Sequence, residues 1–221
     1  MVTLHIHLPT TITSLTANPG RLYNAGNWLA ISAAIAQQVT LTSNDAEQTF
    51  TAVAAYFFGS WPAVFVTFAT LTFFIGGDFY GRAWANGFPP VESANRAGHL
   101  WSALGAVSLG FGLVCFAQGP AALALATLST TLHAGGKLGS AVFGESDVDF
   151  KLLPLLSRLP YCVSLCLDIH AQSVIATSTS EFISFSILPL ALIGCTILWA
   201  TADCKLMPTS PWKQVKSLFS F

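Results

Sequence analysis

The positive charges of this chain are distributed very unevenly along its sequence. Only nine of the 221 residues are Lys or Arg. Cytoplasmic segments of membrane proteins carry most of the positive residues, because moving a cation across the bilayer during insertion is costly. The pattern predicts a multi-pass membrane protein whose two termini and cationic connections lie in the cytoplasm. The nine residues lie at or near the N-terminus, two of the connections between apolar stretches, or the C-terminus: Arg21, Arg82, Arg96, Lys137, Lys151, Arg158, Lys205, Lys213 and Lys216.

The composition supports a location in a membrane. The chain is 53% hydrophobic and 9% charged, whereas charged residues make up about 25% of an ordinary soluble domain. So few charges cannot cover a surface that faces water. The formal net charge of −1 provides no basic surface for binding nucleic acid. The lipid bilayer is therefore the predicted partner.

Six apolar stretches are candidates for membrane spans. A helix needs about 20 residues to cross a hydrocarbon core of about 30 Å. We therefore predict an all-α, polytopic integral membrane protein with about six transmembrane helices arranged as three helical hairpins. The first span is the weakest candidate, because Gln37 and Gln38 interrupt it. The six stretches cover residues 27–41, 50–75, 98–116, 121–142, 159–177 and 182–202.

The same pattern divides the chain into three parts. Residues 1–24 form a short N-terminal segment that is cytoplasmic or lies at the membrane interface. Residues 25–204 form the transmembrane domain, and residues 205–221 form a short cytoplasmic tail. The three connections without cations are assigned to the opposite side of the membrane.

Ionisable side chains inside apolar stretches suggest a functional site, because burying a charge in lipid is expensive. His133 and Lys137 lie on the fourth predicted span, and Asp168, His170 and Gln172 lie on the fifth. At 1.5 Å per residue, His133 and Asp168 are each about 14 Å from the inner end of their span, and His170 is about 16 Å. The sequence therefore predicts a protonatable polar cluster near the membrane midplane.

Three interpretations of this cluster remain open from the sequence. The first is a buried polar network that fixes helix packing, with Asp168 paired to Lys137 or His133. The second is a proton or ion relay, because Asp and His change charge near neutral pH when their environment shifts them. The third is haem or chlorophyll bound through His133 and His170, since bis-imidazole ligation needs two His at similar depth.

Two further features bear on function. Asp78 and Arg82 follow the second span, where they form either a local ion pair or a contact at the inner mouth of a pathway. Gly135 and Gly139 are spaced for one small-residue helix face, which favours close helix packing within the chain or a homo-oligomer.

Sequence motifs typical of enzymes are absent. The chain has no Gly-x-Ser-x-Gly, His-Glu-x-x-His or phosphate-binding loop, and we predict neither catalytic residues nor a metal site. The expected function is a small transporter or a channel-like protein. The alternative is a structural or haem/pigment-binding subunit of a larger membrane complex.

Overall fold

The computed structural model describes residues 18–42, 45–113, 119–144 and 148–207. Within these ranges the secondary structure is helical, without strands, which confirms the predicted all-α class. The helices are α1 (Pro19–Leu41), α2 (Ala46–Phe58), α3 (Trp61–Ala83), α4 (Glu92–Leu113), α5 (Pro120–Phe143), α6 (Val148–Leu156), α7 (Arg158–Ile175) and α8 (Thr179–Lys205).

Three helical segments are long and apolar enough to cross a membrane, whereas the sequence predicted six. They are Trp61–Ala83, Leu152–Ile175 and Thr179–Lys205. Helices α1, α4 and α5 have 23, 22 and 24 residues and are long enough, but they are less apolar. Their buried faces carry polar residues such as Asn27, His99 and His133, and these lower the mean hydropathy. By length and composition, the described residues therefore contain three candidate membrane spans instead of the predicted six.

The predicted second span is two helices rather than one. The chain bends at Gly59–Ser60, and the Ser60 hydroxyl accepts a hydrogen bond from the Ala63 backbone N–H at the start of α3. Helix α2 packs against α3, where the Thr67 hydroxyl donates to the Phe57 carbonyl at 2.7 Å. A serine N-cap begins a new helix, which a hydrophobicity pattern alone does not show.

Helix α1 begins well before the predicted start of the first span. The Asn18 side chain caps it by accepting from the Gly20 N–H at 2.9 Å. The same side chain donates to the Gly81 carbonyl of α3 at 3.0 Å. Gly20 lies so close to α3 that an added Cβ would be 2.6 Å from the Gly81 Cα. Contacts with α3, rather than apolar composition, therefore set where α1 starts.

The six long helices α1, α3, α4, α5, α7 and α8 form a closed ring. Each packs against two others, in the order α1, α3, α4, α5, α7, α8 and back to α1. Helices that are consecutive in this list run in opposite directions along the chain. We call the end of the ring where α1 begins and α8 ends the basal end. The ring has a hollow centre, and this positions the candidate site.

Small and large apolar residues are placed in the opposite way from a water-soluble protein, with small ones inside and large ones outside. Among the described residues, more than half of the buried apolar ones are alanine, and many large apolar side chains lie on the outer surface. On α4 the exposed residues Leu100, Leu104, Val107 and Phe111 form one stripe, because helix positions three or four apart share a face. Ser102 lies on the opposite, buried side of the same helix. An exposed apolar surface of this extent marks a membrane or protein interface.

Candidate functional site

Three charged side chains meet inside the basal end of the ring. Lys137 of α5 and Asp203 of α8 are 1% and 2% exposed. The Lys137 Nζ lies 2.9 Å from Asp203 Oδ1. Arg158, the first residue of α7, donates from Nη2 at 2.8 Å and from Nε at 3.1 Å to Asp203 Oδ2. We call Lys137, Arg158 and Asp203 the charged cluster. It joins three helices through a single carboxylate.

Two tyrosines complete the surroundings of Lys137. The Tyr23 hydroxyl donates to Asp203 Oδ1 and accepts from Lys137 Nζ at 2.8 Å. The Lys137 Nζ also lies 4.9 Å from the ring centroid of Tyr23 and 5.0 Å from that of Tyr80. A desolvated cation above an aromatic face gains about 2 kcal/mol. The rings therefore add to the stabilisation of this buried ammonium.

A hydrogen-bond chain continues from Tyr80 towards the basal surface. The Tyr80 hydroxyl lies 2.8 Å from His99 Nδ1, and His99 Nε2 lies 3.4 Å from Asn95 Nδ2. The Asn95 Oδ1 accepts from Trp84 Nε1 at 3.1 Å. His99 and Asn95 are buried. The chain of contacts connects α3 to α4 beside the charged cluster.

Two adjoining cavities occupy the interior of the ring. The larger, which we call the central cavity, has a volume of about 300 Å³ and is lined by all six long helices and by α2. The smaller, which we call the basal pocket, has a volume of about 60 Å³ and lies next to the charged cluster. Five residues line both spaces, which shows that they are neighbours: Asn27, Phe73, Leu109, Tyr161 and Trp199.

The structure distributes the predicted midplane residues over two levels. The salt bridge of Lys137 is made with Asp203, an acid outside the predicted cluster. Asp168 and Gln172 both line the central cavity, consistent with their sharing one helix face. Asp168 lies about 15 Å along α7 from Arg158 at 1.5 Å per residue. The predicted residues therefore do not form one cluster at one depth.

The two predicted haem ligands lie in different environments. His133 is 6% exposed and lines the basal pocket. His170 is exposed, about 18 Å along α7 from Arg158 at 1.5 Å per residue. Arg158 and His133 line the same pocket. The structure therefore does not place His133 and His170 on either side of one haem or chlorophyll.

Two other polar features noted in the sequence form specific contacts, one within a helix and one between two helices. Asp78 and Arg82 form a salt bridge of 2.6 Å one turn apart on α3, with side chains 57% and 70% exposed. Gln37 lies within α1 rather than interrupting it. Its Oε1 accepts a hydrogen bond from the Leu188 N–H at 3.1 Å. Leu188 is the residue before Pro189 of α8. Each contact has a structural role where it stands.

Neither Asp203 nor the role of Arg158 was predicted from the sequence. Both lie at predicted helix ends, where charged residues are ordinarily exposed to water or to lipid headgroups. The available signal was an acid in the last turn of α8, the most apolar of the three helical segments that could cross a membrane. Their meeting depends on how α5, α7 and α8 pack, which spacing within one helix does not reveal.

Comparisons of the chain with protein-family models, curated proteins and solved structures gave no match. The geometry of the ring and its cavities is therefore the basis of the functional proposal.

Proposed function

We propose that this protein is a six-span membrane protein that acts as a small transporter or a channel-like protein. The central cavity is its solute chamber. The charged cluster closes the cytoplasmic end of that chamber, and both termini are cytoplasmic. The observation that carries the proposal is the hollow ring, because every long helix contributes to the wall of one cavity that contains a carboxylate, Asp168.

The surfaces of α1, α4 and α5 support their inclusion as spans. The outer face of α4 is the apolar stripe described above, and α5 exposes Leu128 and Leu138. On α1 the exposed residues include Trp28 and Ile35. The polar residues Asn27, His99 and His133 of these helices are buried in the interior instead. Helices that line a polar cavity in a membrane show this division, because polar groups avoid the hydrocarbon.

The distribution of charges along the helices supports the orientation. Within the described ranges, each Lys or Arg lies near the basal end of its helix, whereas Asp45, Glu47 and Glu181 lie at the opposite end. Cationic ends of membrane helices face the cytoplasm. The basal cations on the helices are Arg21, Arg82, Arg96, Lys137, Lys151, Arg158 and Lys205.

Asp168 is the residue we assign to carrying a proton or cation. A carboxylate in the wall of a membrane cavity changes charge on protonation, and such residues mark ion and proton pathways. Gln172 and Gln37 line the same cavity and supply uncharged hydrogen-bonding groups. The charged cluster is about 15 Å away along α7, so Asp168 releases its cargo to the cytoplasm only when the basal end opens.

The test uses purified protein reconstituted into liposomes that contain a pH-sensitive dye. A potassium gradient with valinomycin imposes an inside-negative potential, and the rate of acidification reports proton entry. We expect wild-type protein to acidify the lumen faster than empty liposomes do. Asp168→Asn preserves the side-chain shape and removes the charge, so it should reduce the added rate at least tenfold.

Asp78→Asn is the matched control, because it removes a carboxylate that is exposed at the basal end. It should retain the wild-type rate. An Asp168→Asn protein with unchanged proton entry would exclude Asp168 as the carrier. Wild-type protein indistinguishable from empty liposomes under each imposed gradient would count against transport of protons.

A further inference from the structure

We propose that the basal pocket binds the carboxylate head of a small organic anion whose apolar body lies in the central cavity. This inference rests on the proposed function, since it names the class of solute that the chamber accepts. Two observations support this inference. The basal pocket contains buried hydrogen-bond donors beside the charged cluster, and the larger, mainly apolar central cavity adjoins it.

His133 is the strongest indication of a ligand. Neither Nδ1 nor Nε2 of this buried ring has a hydrogen-bond partner among the described residues. Leaving a buried polar group without a partner costs about 1–3 kcal/mol, and native structures rarely do so. The His133 imidazole lines the basal pocket and packs edge-on against Phe73, with 6.1 Å between the two ring centroids. A ligand in the pocket supplies the missing acceptor for its N–H.

The charge next to the pocket favours an anion. Arg158 lines the pocket, and its two bonds to Asp203 use Nε and Nη2. A guanidinium carries five N–H donors, and no described residue accepts a hydrogen bond from Nη1, so this group is left for a ligand. Ser129 and Tyr161 also line the pocket, and each of these side chains carries a hydroxyl group. A carboxylate matches this set, because it only accepts hydrogen bonds and is attracted to Arg.

The size and lining of the two spaces favour an apolar body on that head group. The basal pocket, at about 60 Å³, has room for little more than a head group. The central cavity, at about 300 Å³, lies at the lower limit of volumes that hold drug-sized ligands. Much of its wall is apolar, including Ile31, Leu165 and Leu192. An amphipathic monocarboxylate would fill both spaces, whereas a small inorganic ion would fill only one.

The test measures binding by isothermal titration calorimetry to wild-type protein in nanodiscs of phosphatidylcholine, with empty nanodiscs subtracted. The probes are 2-naphthoate, its uncharged analogue 2-naphthamide, and the small anions formate and chloride. We expect 2-naphthoate to bind at least tenfold more tightly than 2-naphthamide. We also expect it to bind at least tenfold more tightly than formate or chloride.

Two variants examine the head-group site. His133→Leu introduces an apolar side chain of similar size and removes the N–H, so it should weaken 2-naphthoate binding at least tenfold. His170→Leu is the matched control, since it makes the same change at an exposed position on α7, and it should bind as wild type does. Ser129→Ala, a change that suits a helix, should weaken binding severalfold even if His133→Leu fails to fold. Ser173→Ala is its exposed control.

The outcomes separate this inference from the proposed function. Equal binding of 2-naphthoate and 2-naphthamide would overturn the anion site, and tight formate binding without 2-naphthoate binding would show a small-anion site instead. Absence of binding by all four probes would also overturn it. Binding as expected by a protein that does not move protons would support the pocket and contradict proton transport through Asp168. Proton movement by a protein that binds none of the probes would support proton transport and contradict the anion pocket.

Discussion

The Lys137 ammonium lies 2.9 Å from the Asp203 carboxylate in the buried basal end of the ring. The pair joins α5 to α8, two helices that both flank α7 in the ring, and Arg158 of α7 binds the same carboxylate. One acidic side chain therefore holds three helices together at the basal end of the ring. Any movement that opens this end must break or relocate these contacts.

Replacement of Asp203 by Asn should be strongly destabilising. It leaves Lys137 and Arg158 without the carboxylate that both bind in the structure. Removing one partner of a buried ion pair costs about 3–5 kcal/mol, because a desolvated charge remains. The free energy of unfolding, measured in bicelles by steric trapping, should fall by this amount. Asp78→Asn removes an exposed partner of Arg82 and should cost about 1 kcal/mol or less. Equal losses in the two variants would contradict the assignment.

Two neighbouring glycines of α5 should respond differently to alanine. A Cβ at Gly136 would lie 2.6 Å from the Phe150 carbonyl of α6 and would overlap Pro154. A Cβ at Gly135 would meet no atom within 4 Å. Gly136→Ala should therefore lower the free energy of unfolding by about 1–3 kcal/mol through overpacking. Gly135→Ala should raise it by up to about 1 kcal/mol through helix propensity. The same unfolding assay measures both, and a loss at Gly135 as large as at Gly136 would count against this packing.

The Gln37 side chain should stabilise α8 at its proline. Gln37→Leu removes the acceptor for the Leu188 N–H and should lower the free energy of unfolding by about 1 kcal/mol. Gln38→Leu makes the same change one residue further along α1 and should cost less. Hydrogen exchange provides a direct readout, since the Leu188 amide should exchange faster in Gln37→Leu only. Unchanged exchange would show that Gln37 does not bind this amide.

Cysteine labelling should show that the two ends of the ring face opposite sides of the membrane. In a variant whose native cysteines are replaced, Glu47→Cys and Arg82→Cys place a thiol at exposed positions near opposite ends. A membrane-impermeant maleimide should label Glu47→Cys in intact cells and Arg82→Cys only after permeabilisation. Labelling of both thiols in intact cells would exclude the six-span topology.

The positions of the helices were largely predictable from the sequence, and their ends were not. Apolar stretches located each long helix because hydrophobicity decides which segments avoid water. The break at Gly59–Ser60 and the early start at Asn18 depend on capping bonds and contacts with α3. These involve a few polar atoms and hardly alter hydropathy.

The candidate site was predictable only in part. Lys137 and His133 stood out because an ionisable residue in an apolar segment is costly wherever the chain folds. Asp168 and Gln172 are four residues apart, a spacing that puts both on one helix face, and both line the central cavity. The depth estimate for His133 and His170 did not give the direction of either side chain relative to neighbouring helices. Because of that direction, the His133 imidazole lines the basal pocket whereas the His170 side chain is exposed.

The sequence by itself determined the helical class and the separation of charge along the chain, because both follow from local composition. Only the tertiary structure decided which charges pair. Asp203 reaches Lys137 across 66 residues of chain, through the packing of α5, α7 and α8. Helix packing also created the central cavity, since a cavity is a property of several surfaces together. No single helix carries the information that its inner face borders an open space.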